Sequence, residues 1–275
     1  MKVFFDERQN VPVNTSFSPS AGKPARIVAG WKEMNLPIEI MEVVPCSIED
    51  LYLAHSSQHV NEILACQKPN GFDNKLQTVA DSLVWTNGSF VSAAEYAFKT
   101  KESVVSPTSG FHHAGYSTSE GFCTFNGLMV AAIKLKNNGA NRIAILDIDM
   151  HYGNGTDDII ERLGINYINH YTFGGDLYDD GNFIKNFPGI VDRTIKGCDI
   201  IFYQAGADPH VDDPYGGSLT TEELRQRDFI VFDKAKKLGI PVVWNLAGGY
   251  QSDFSKIAEI HNNTALEHLK VYGVS

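Results

Sequence analysis

Apolar residues along this chain take turns between two rhythms. Short apolar runs at residues 3–5, 38–44, 102–106, 166–169, 199–204 and 241–246, and the run that opens at Ile143, have strand length and are closed by Pro, Gly, Asn or Asp. Between them, apolar positions recur at helical spacing over residues 73–83, 89–100, 125–136, 156–163, 221–238 and 253–270. Ser47 with Asp50 three residues on has capping-box spacing for a short helix, and a further helix is expected from Ser56. Residues 10–24, rich in Pro, Ser and Asn, read as an irregular loop, and Thr86-Asn87-Gly88 reads as a break between two helices. Strand and helix in regular alternation predict a single α/β domain over residues 1–275, with a mainly parallel central sheet covered by helices on both faces.

The run from Ile143 changes character abruptly. Ile143-Ala-Ile-Leu gives way to Asp147, Asp149 and His151, followed by Tyr152-Gly-Asn154-Gly. Alternation along an extended strand puts 147, 149 and 151 on one side and Ile148 and Met150 on the other. Two carboxylates and an imidazole at a buried strand end are costly unless paired or bound to a cation, which makes a metal site the sharper reading; an ion-paired strand end is the plainer one. In a parallel sheet, ligands gather beyond the carboxyl ends of the strands. Polar groups follow four of the expected strands: His112 and His113; Asp147, Asp149 and His151; Asp208; and Tyr250.

Composition narrows the partners. The 275 residues are 43% hydrophobic and 20% charged, and 23 basic against 33 acidic residues give a formal charge of -10. A field of that sign repels nucleic acid and attracts cations, so a basic or neutral small substrate is expected and nucleic acid is not. Four cysteines without a Cys-x-x-Cys pair suit a reducing compartment. The first residues lack the apolar core of a signal peptide, and no stretch reaches about 18 apolar residues, so the expectation is a cytoplasmic protein without membrane attachment.

Taken together, Gly110-Phe-His-His, Gly121-Phe-Cys, Asp147-Ile-Asp-Met-His-Tyr-Gly-Asn-Gly, Gly206-Ala-Asp and Gly248-Gly-Tyr resemble the histone deacetylase and acetylpolyamine amidohydrolase family, over about residues 55–250. Five separated motifs in order are far more specific than any one of them. The resemblance implies an arginase-like α/β fold with one zinc ion per chain on Asp149, His151 and Asp208, and a structural potassium ion near the Asp147 strand. It implies that His113 is the general base beside an electrostatic partner, His112. Asp147 then stands behind His112, Asn154 behind His113, and Tyr250 donates to the oxyanion. Phe122, with Gly121, is implied as one wall of an acyl-lysine tunnel; Leu177-Tyr178 sits near the expected position of the other. Gly248 and Gly249 permit the turn that aims Tyr250.

The implied activity is hydrolysis of an acylamine, N-acetyl-lysine in a peptide or an acetylpolyamine. The short segment between His55 and His112 leaves little room for the insertion with which acetylpolyamine hydrolases dimerise, which favours a wider mouth and a monomer. Tyr152 stands where the family pattern has a second histidine, and Gly22-Lys-Pro-Ala-Arg is only faintly similar to the family's entrance loop. Two rival functions are a binuclear manganese ureohydrolase on the same fold, which needs further bridging carboxylates, and a non-catalytic acyl-ligand binder.

Overall fold

The computed structural model describes residues 1–11, 18–175 and 182–273. Seven strands form one parallel sheet: β1 (Lys2–Phe4), β2 (Glu39–Met41), β3 (Val104–Val105), β4 (Ile143–Asp147), β5 (Ile168–Thr172), β6 (Ile200–Gln204) and β7 (Val242–Asn245), in the order β2-β1-β3-β7-β6-β4-β5. The helices are α1 (Lys23–Glu33), α2 (Ile48–Tyr52), α3 (Ser57–Leu64), α4 (Gln77–Thr100), α5 (Gly127–Asn137), α6 (Asn154–Arg162), α7 (Phe183–Ile195), α8 (Thr221–Leu238) and α9 (Phe254–Tyr272).

The period-two pattern of the strands divides the core. Ala144, Leu146, Tyr203, Val242 and Trp244 pack on one face with residues of α1, α7, α8 and α9. Ile143, Ile145, Phe202 and Val243 pack on the other, against α4 and α5. Both faces are therefore buried, as the apolar strands require. Asp147 pairs in register with Gln204, and Gln204 with Asn245, so β4, β6 and β7 end level with one another. The loops that leave those ends must meet, and they carry the polar residues singled out in the sequence.

Three expectations change. Thr86-Asn87-Gly88 does not break a helix: α4 runs continuously through it. Thr86 Oγ1 donates to the Ser82 carbonyl and Asn87 Nδ2 to that of Leu83, so both side chains bond within the helix instead of ending it. Gly88 is there for close approach, since a Cβ would lie 2.3 Å from the Val44 carbonyl oxygen. The loop expected over 10–24 yields at Lys23 to α1, which has Pro24 in its first turn, where its missing N–H costs nothing. Finally, α7 was not anticipated; Phe183, Phe187, Val191 and Ile195 form a buried stripe at four-residue spacing despite Pro188. No helix among the described residues is long and apolar enough to cross a membrane.

Candidate active site

Strand β4 ends at Asp147, and the chain then bends, so Asp149 and His151 arrive from a turn and not by continued alternation. Asp208 comes from the loop after β6. Ligand atoms of these three residues all lie within 4.8 Å of one another. His151 Nδ1 is 3.0 Å from Asp149 Oδ1 and 3.0 Å from Asp208 Oδ2. Asp208 is fully buried, yet its Oδ1 has no hydrogen-bond partner. A buried carboxylate oxygen left over beside a second carboxylate and an imidazole is what a divalent cation satisfies, and an N/O donor set of this kind suits zinc or a similar ion. The residues fit a metal.

The electrostatics carry the same sign of strain. Burial and the charge of Asp149 push the Asp208 carboxyl up to about 8. Hydrogen bonds that His151 gives to the two carboxylates hold its imidazole up to about 10. In Asp149 burial acts upward but is outweighed by the charges of His112 and His151, which keep it ionised.

Next to these groups, His112 and His113 lie with ring centroids 4.0 Å apart. His112 Nδ1 donates to Asp147 Oδ2 at 2.6 Å, and Asp147 Oδ1 accepts from Gln204 Nε2 at 2.8 Å. Gln204 Oε1 in turn accepts from Phe111 N, so the loop bearing both histidines is anchored to β6. Burial depresses the basicity of His112, but Asp147 and Asp149 overcome it and raise His112 to about 9. His113 moves the other way, lowered by burial and by the charge of His112. Its Nδ1 donates to Asn154 Oδ1 at 2.6 Å, and Asn154 Nδ2 donates to Glu120 Oε1 at 2.6 Å. Adjacent histidines thus acquire opposite acid–base characters from a carboxylate behind one and an amide behind the other.

Tyr250 follows β7 on a turn in which Gly248 and Gly249 have φ of 53° and 95°. A Cβ on Gly248 would sit 2.1 Å from Asp208 Oδ1, so this glycine provides both the backbone conformation and room for the carboxylate. The turn is held on two sides: the buried Lys23 ammonium donates to the Gly248 carbonyl, and Tyr250 N donates to the buried Asp213 carboxylate at 2.7 Å. Burial and the nearby Asp149 and Asp208 raise the phenol pKa, leaving Tyr250 a protonated donor.

An open pocket of roughly 220 Å³ leads to this group, lined by His113, Gly121, Phe122, His151, Tyr215 and Tyr250. Phe122 stands 5.8 Å from the Tyr250 ring and Tyr215 stands 5.3 Å from it. Phe122 is itself left-handed, with φ of 64°, after Gly121 at 56°. A Cβ on Gly121 would meet His113 Cδ2 at 2.4 Å. The site residues expected from the sequence therefore gather here, while Leu177 and Tyr178 lie outside the described residues. Lys23, Glu120, Gln204, Asp213 and Tyr215 had not been singled out. Gln204 stood two residues before the Gly206-Ala-Asp motif, and Asp213-Pro-Tyr215-Gly-Gly has the composition of a turn.

A family model described as the histone deacetylase domain matches residues 20–188 of this chain. A probable deacetylase of Methanothermobacter thermautotrophicus is 27% identical over 272 residues, which cover 85% of this chain and 81% of that protein. The acetylpolyamine amidohydrolase of Mycoplana ramosa is 40% identical over 88 residues, 32% of this chain and 24% of its own. Among solved structures, the HDA15 HD domain superposes with a TM-score of 0.77 at 19% identity, covering 98% of this chain and 95% of that one. An acetylpolyamine aminohydrolase from Burkholderia pseudomallei gives 0.75 at 17%, covering 98% and 99%.

Proposed function

Since the chain belongs to the histone deacetylase family and is a hydrolase of the deacetylase type, we propose that it removes an acetyl or related acyl group from a primary amine on a linear stem, with one zinc ion held by Asp149, His151 and Asp208. The observation that carries this reading is the convergence of those three ligands with His112, His113 and Tyr250 at the floor of one aromatic-walled pocket.

A divalent ion bound there supplies Lewis acidity, toward the amide carbonyl and toward the attacking water. The protein supplies the rest. With its Nδ1–H given to Asn154, a neutral His113 presents Nε2 as the acceptor for the water proton and afterwards returns that proton to the leaving amine. His112, kept cationic by Asp147 and Asp149, offsets negative charge as it builds on the acyl carbon's oxygen. Tyr250 donates its hydroxyl proton in a hydrogen bond to that oxygen, aimed by the turn that Lys23 and Asp213 hold. Phe122 and Tyr215 flank a path suited to methylenes. We place acyl-lysine ahead of acylpolyamine, because the segment between His55 and His112 is short and Tyr215 at the mouth is half exposed. A binuclear reading needs further carboxylates, and among the described residues one group of three ligands is present.

The test is a panel of acetyl-lysine peptides and monoacetylated polyamines on zinc-loaded protein, with metal analysis of wild type and Asp208→Ala. Acetate release by the wild type is expected, with loss of most metal and turnover in the variant. Stoichiometric zinc in Asp208→Ala would refute the ligand assignment, and a fully loaded wild type inert toward every linear acylamine would refute the substrate class.

A further inference from the structure

We propose that Glu120 is a positioning residue that fixes which ring nitrogen of His113 carries the proton, acting through the side-chain amide of Asn154. This rests on the reading of His113 as the base. An asparagine amide has a donor end and an acceptor end of nearly equal size, and a half-turn about its last torsion exchanges them with little steric consequence. With Oδ1 toward His113 the ring holds its proton on Nδ1 and Nε2 is bare; with Nδ2 toward His113, Nδ1 becomes the acceptor and Nε2 carries the hydrogen. Only the first form can take a proton from water at Nε2. His112 faces no such choice, because Asp147 can only accept. Asn154 alone leaves the choice to His113 open.

Glu120 removes the ambiguity. Its carboxylate, also acceptor-only, lies 2.6 Å from Asn154 Nδ2, and a flipped amide would turn an oxygen lone pair onto a negative charge. The amide is thereby polarised in one direction from carboxylate to imidazole. The backbone makes this arrangement stiff at every joint. Glu120 N donates to the Cys123 carbonyl and Cys123 N donates to that of Glu120, closing the turn that also presents Phe122. Asn154 opens α6, whose next residue, Gly155, packs so closely that a Cβ would meet the His113 carbonyl carbon at 2.5 Å. Thr156 N donates to the His112 carbonyl.

The experiment uses the zinc-loaded 275-residue chain and the variants Glu120→Gln and Glu120→Ala, each also in an Asn154→Asp background. Long-range proton–nitrogen NMR identifies the protonated nitrogen of His113, while kcat and KM for an acetyl-lysine peptide and zinc content are read in parallel. In the native background both substitutions should lower kcat by about threefold or more with KM and zinc content unchanged, the loss of one charge-assisted bond at a solvent-facing site. The Nε2–H form of His113 should appear in the spectrum. In the Asn154→Asp background the side chain behind His113 is a carboxylate whose two oxygens both accept, so removing Glu120 should leave kcat unchanged or raise it. A His113 that stays wholly Nδ1–H without Glu120, or an equal loss of kcat in both backgrounds, overturns the proposal. If His113→Ala keeps wild-type kcat, the base assignment fails instead, and the NMR result still decides what Glu120 does.

Discussion

Gly248→Ala isolates the metal cradle from the rest of the fold. The new methyl would start 2.1 Å from Asp208 Oδ1, whereas an ordinary carbon–oxygen contact is about 3.3 Å, so the carboxylate must retreat by about 1 Å. That oxygen is buried without a hydrogen-bond partner, so the carboxylate is held through Oδ2 alone and no bond at Oδ1 resists the displacement. The backbone adds a second effect, because a φ of 53° costs an L-residue on the order of 1–2 kcal/mol that glycine avoids. Gly239→Ala is the control: it ends α8 at a φ of 68° with nothing within 4 Å of the added methyl, so it carries the backbone cost alone. Both variants should lose about 2–4 °C or more of melting temperature as apo-proteins. Only Gly248→Ala should weaken zinc, by roughly 10–100-fold in a chelator competition, the usual scale when a ligand's support is disturbed. Wild-type zinc affinity in Gly248→Ala would show that Asp208 Oδ1 has no part in holding the ion.

Tyr250→Phe removes a hydroxyl while keeping the ring that packs near Phe122 and Tyr215, so zinc should stay bound while kcat falls by about 100-fold or more; near-normal kcat would place the oxyanion donor elsewhere. Burial lowers His268 to about 3, against about 6.5 in an unfolded chain, and the unfolded state therefore takes up a proton that the fold refuses. Stability from this group is complete above the unfolded value and declines as pH falls from about 6.5 toward about 3, by about 1.4 kcal/mol per pH unit. The urea midpoint of His268→Gln should accordingly depend less on pH than that of the wild type between about pH 6.5 and 5, and equal slopes would refute the assignment. With a formal charge of -10, kcat/KM for a cationic acylamine should fall as salt is added, while a neutral analogue of the same length changes little. Parallel responses would remove steering from the account.

What the sequence disclosed depends on how local each constraint is. Asp147 to His151, His112-His113 and Gly248-Gly249-Tyr250 sit at strand ends, where an apolar run stops and the only remaining reason for a charge or a glycine pair is the site. The same locality explains the errors in the fold. Thr86-Asn87-Gly88 has the composition of a break, but Val44 comes close enough to require the glycine, and that contact spans more than forty residues. Pro188 and Gly189 hid α7, which tertiary burial of its four-residue stripe sustains against their propensity. Asp149 and His151 were expected to share a strand face; they meet although the strand stops at Asp147, because the bend turns both toward Asp208. Lys23 was unreadable for the plainest reason, a partner 225 positions away.

Lys23 also shows how the fold tolerates so much buried acid while leaving it available to a metal. Two fully buried cations stand near the ligands, Lys23 from α1 and Arg227 from α8. Neither bonds Asp149 or Asp208, and a carboxylate paired with a cation would have its lone pairs occupied. Instead the Lys23 ammonium donates to the Gly248 carbonyl, and Arg227 Nη1 donates to the Gly206 carbonyl at 2.6 Å while its Nε bonds Asp228. Each cation thus grips the backbone of a loop that carries a working residue, Tyr250 in one case and Asp208 in the other. Lys23 still feels the field of Asp208, Asp149 and Asp213, which resists the lowering that burial imposes. Lys23 thus compensates the acid at a distance through a bond given to a carbonyl, whereas the charge of Arg227 is paired with Asp228 and its part is to hold the loop, so positive charge steadies the cation site without filling it.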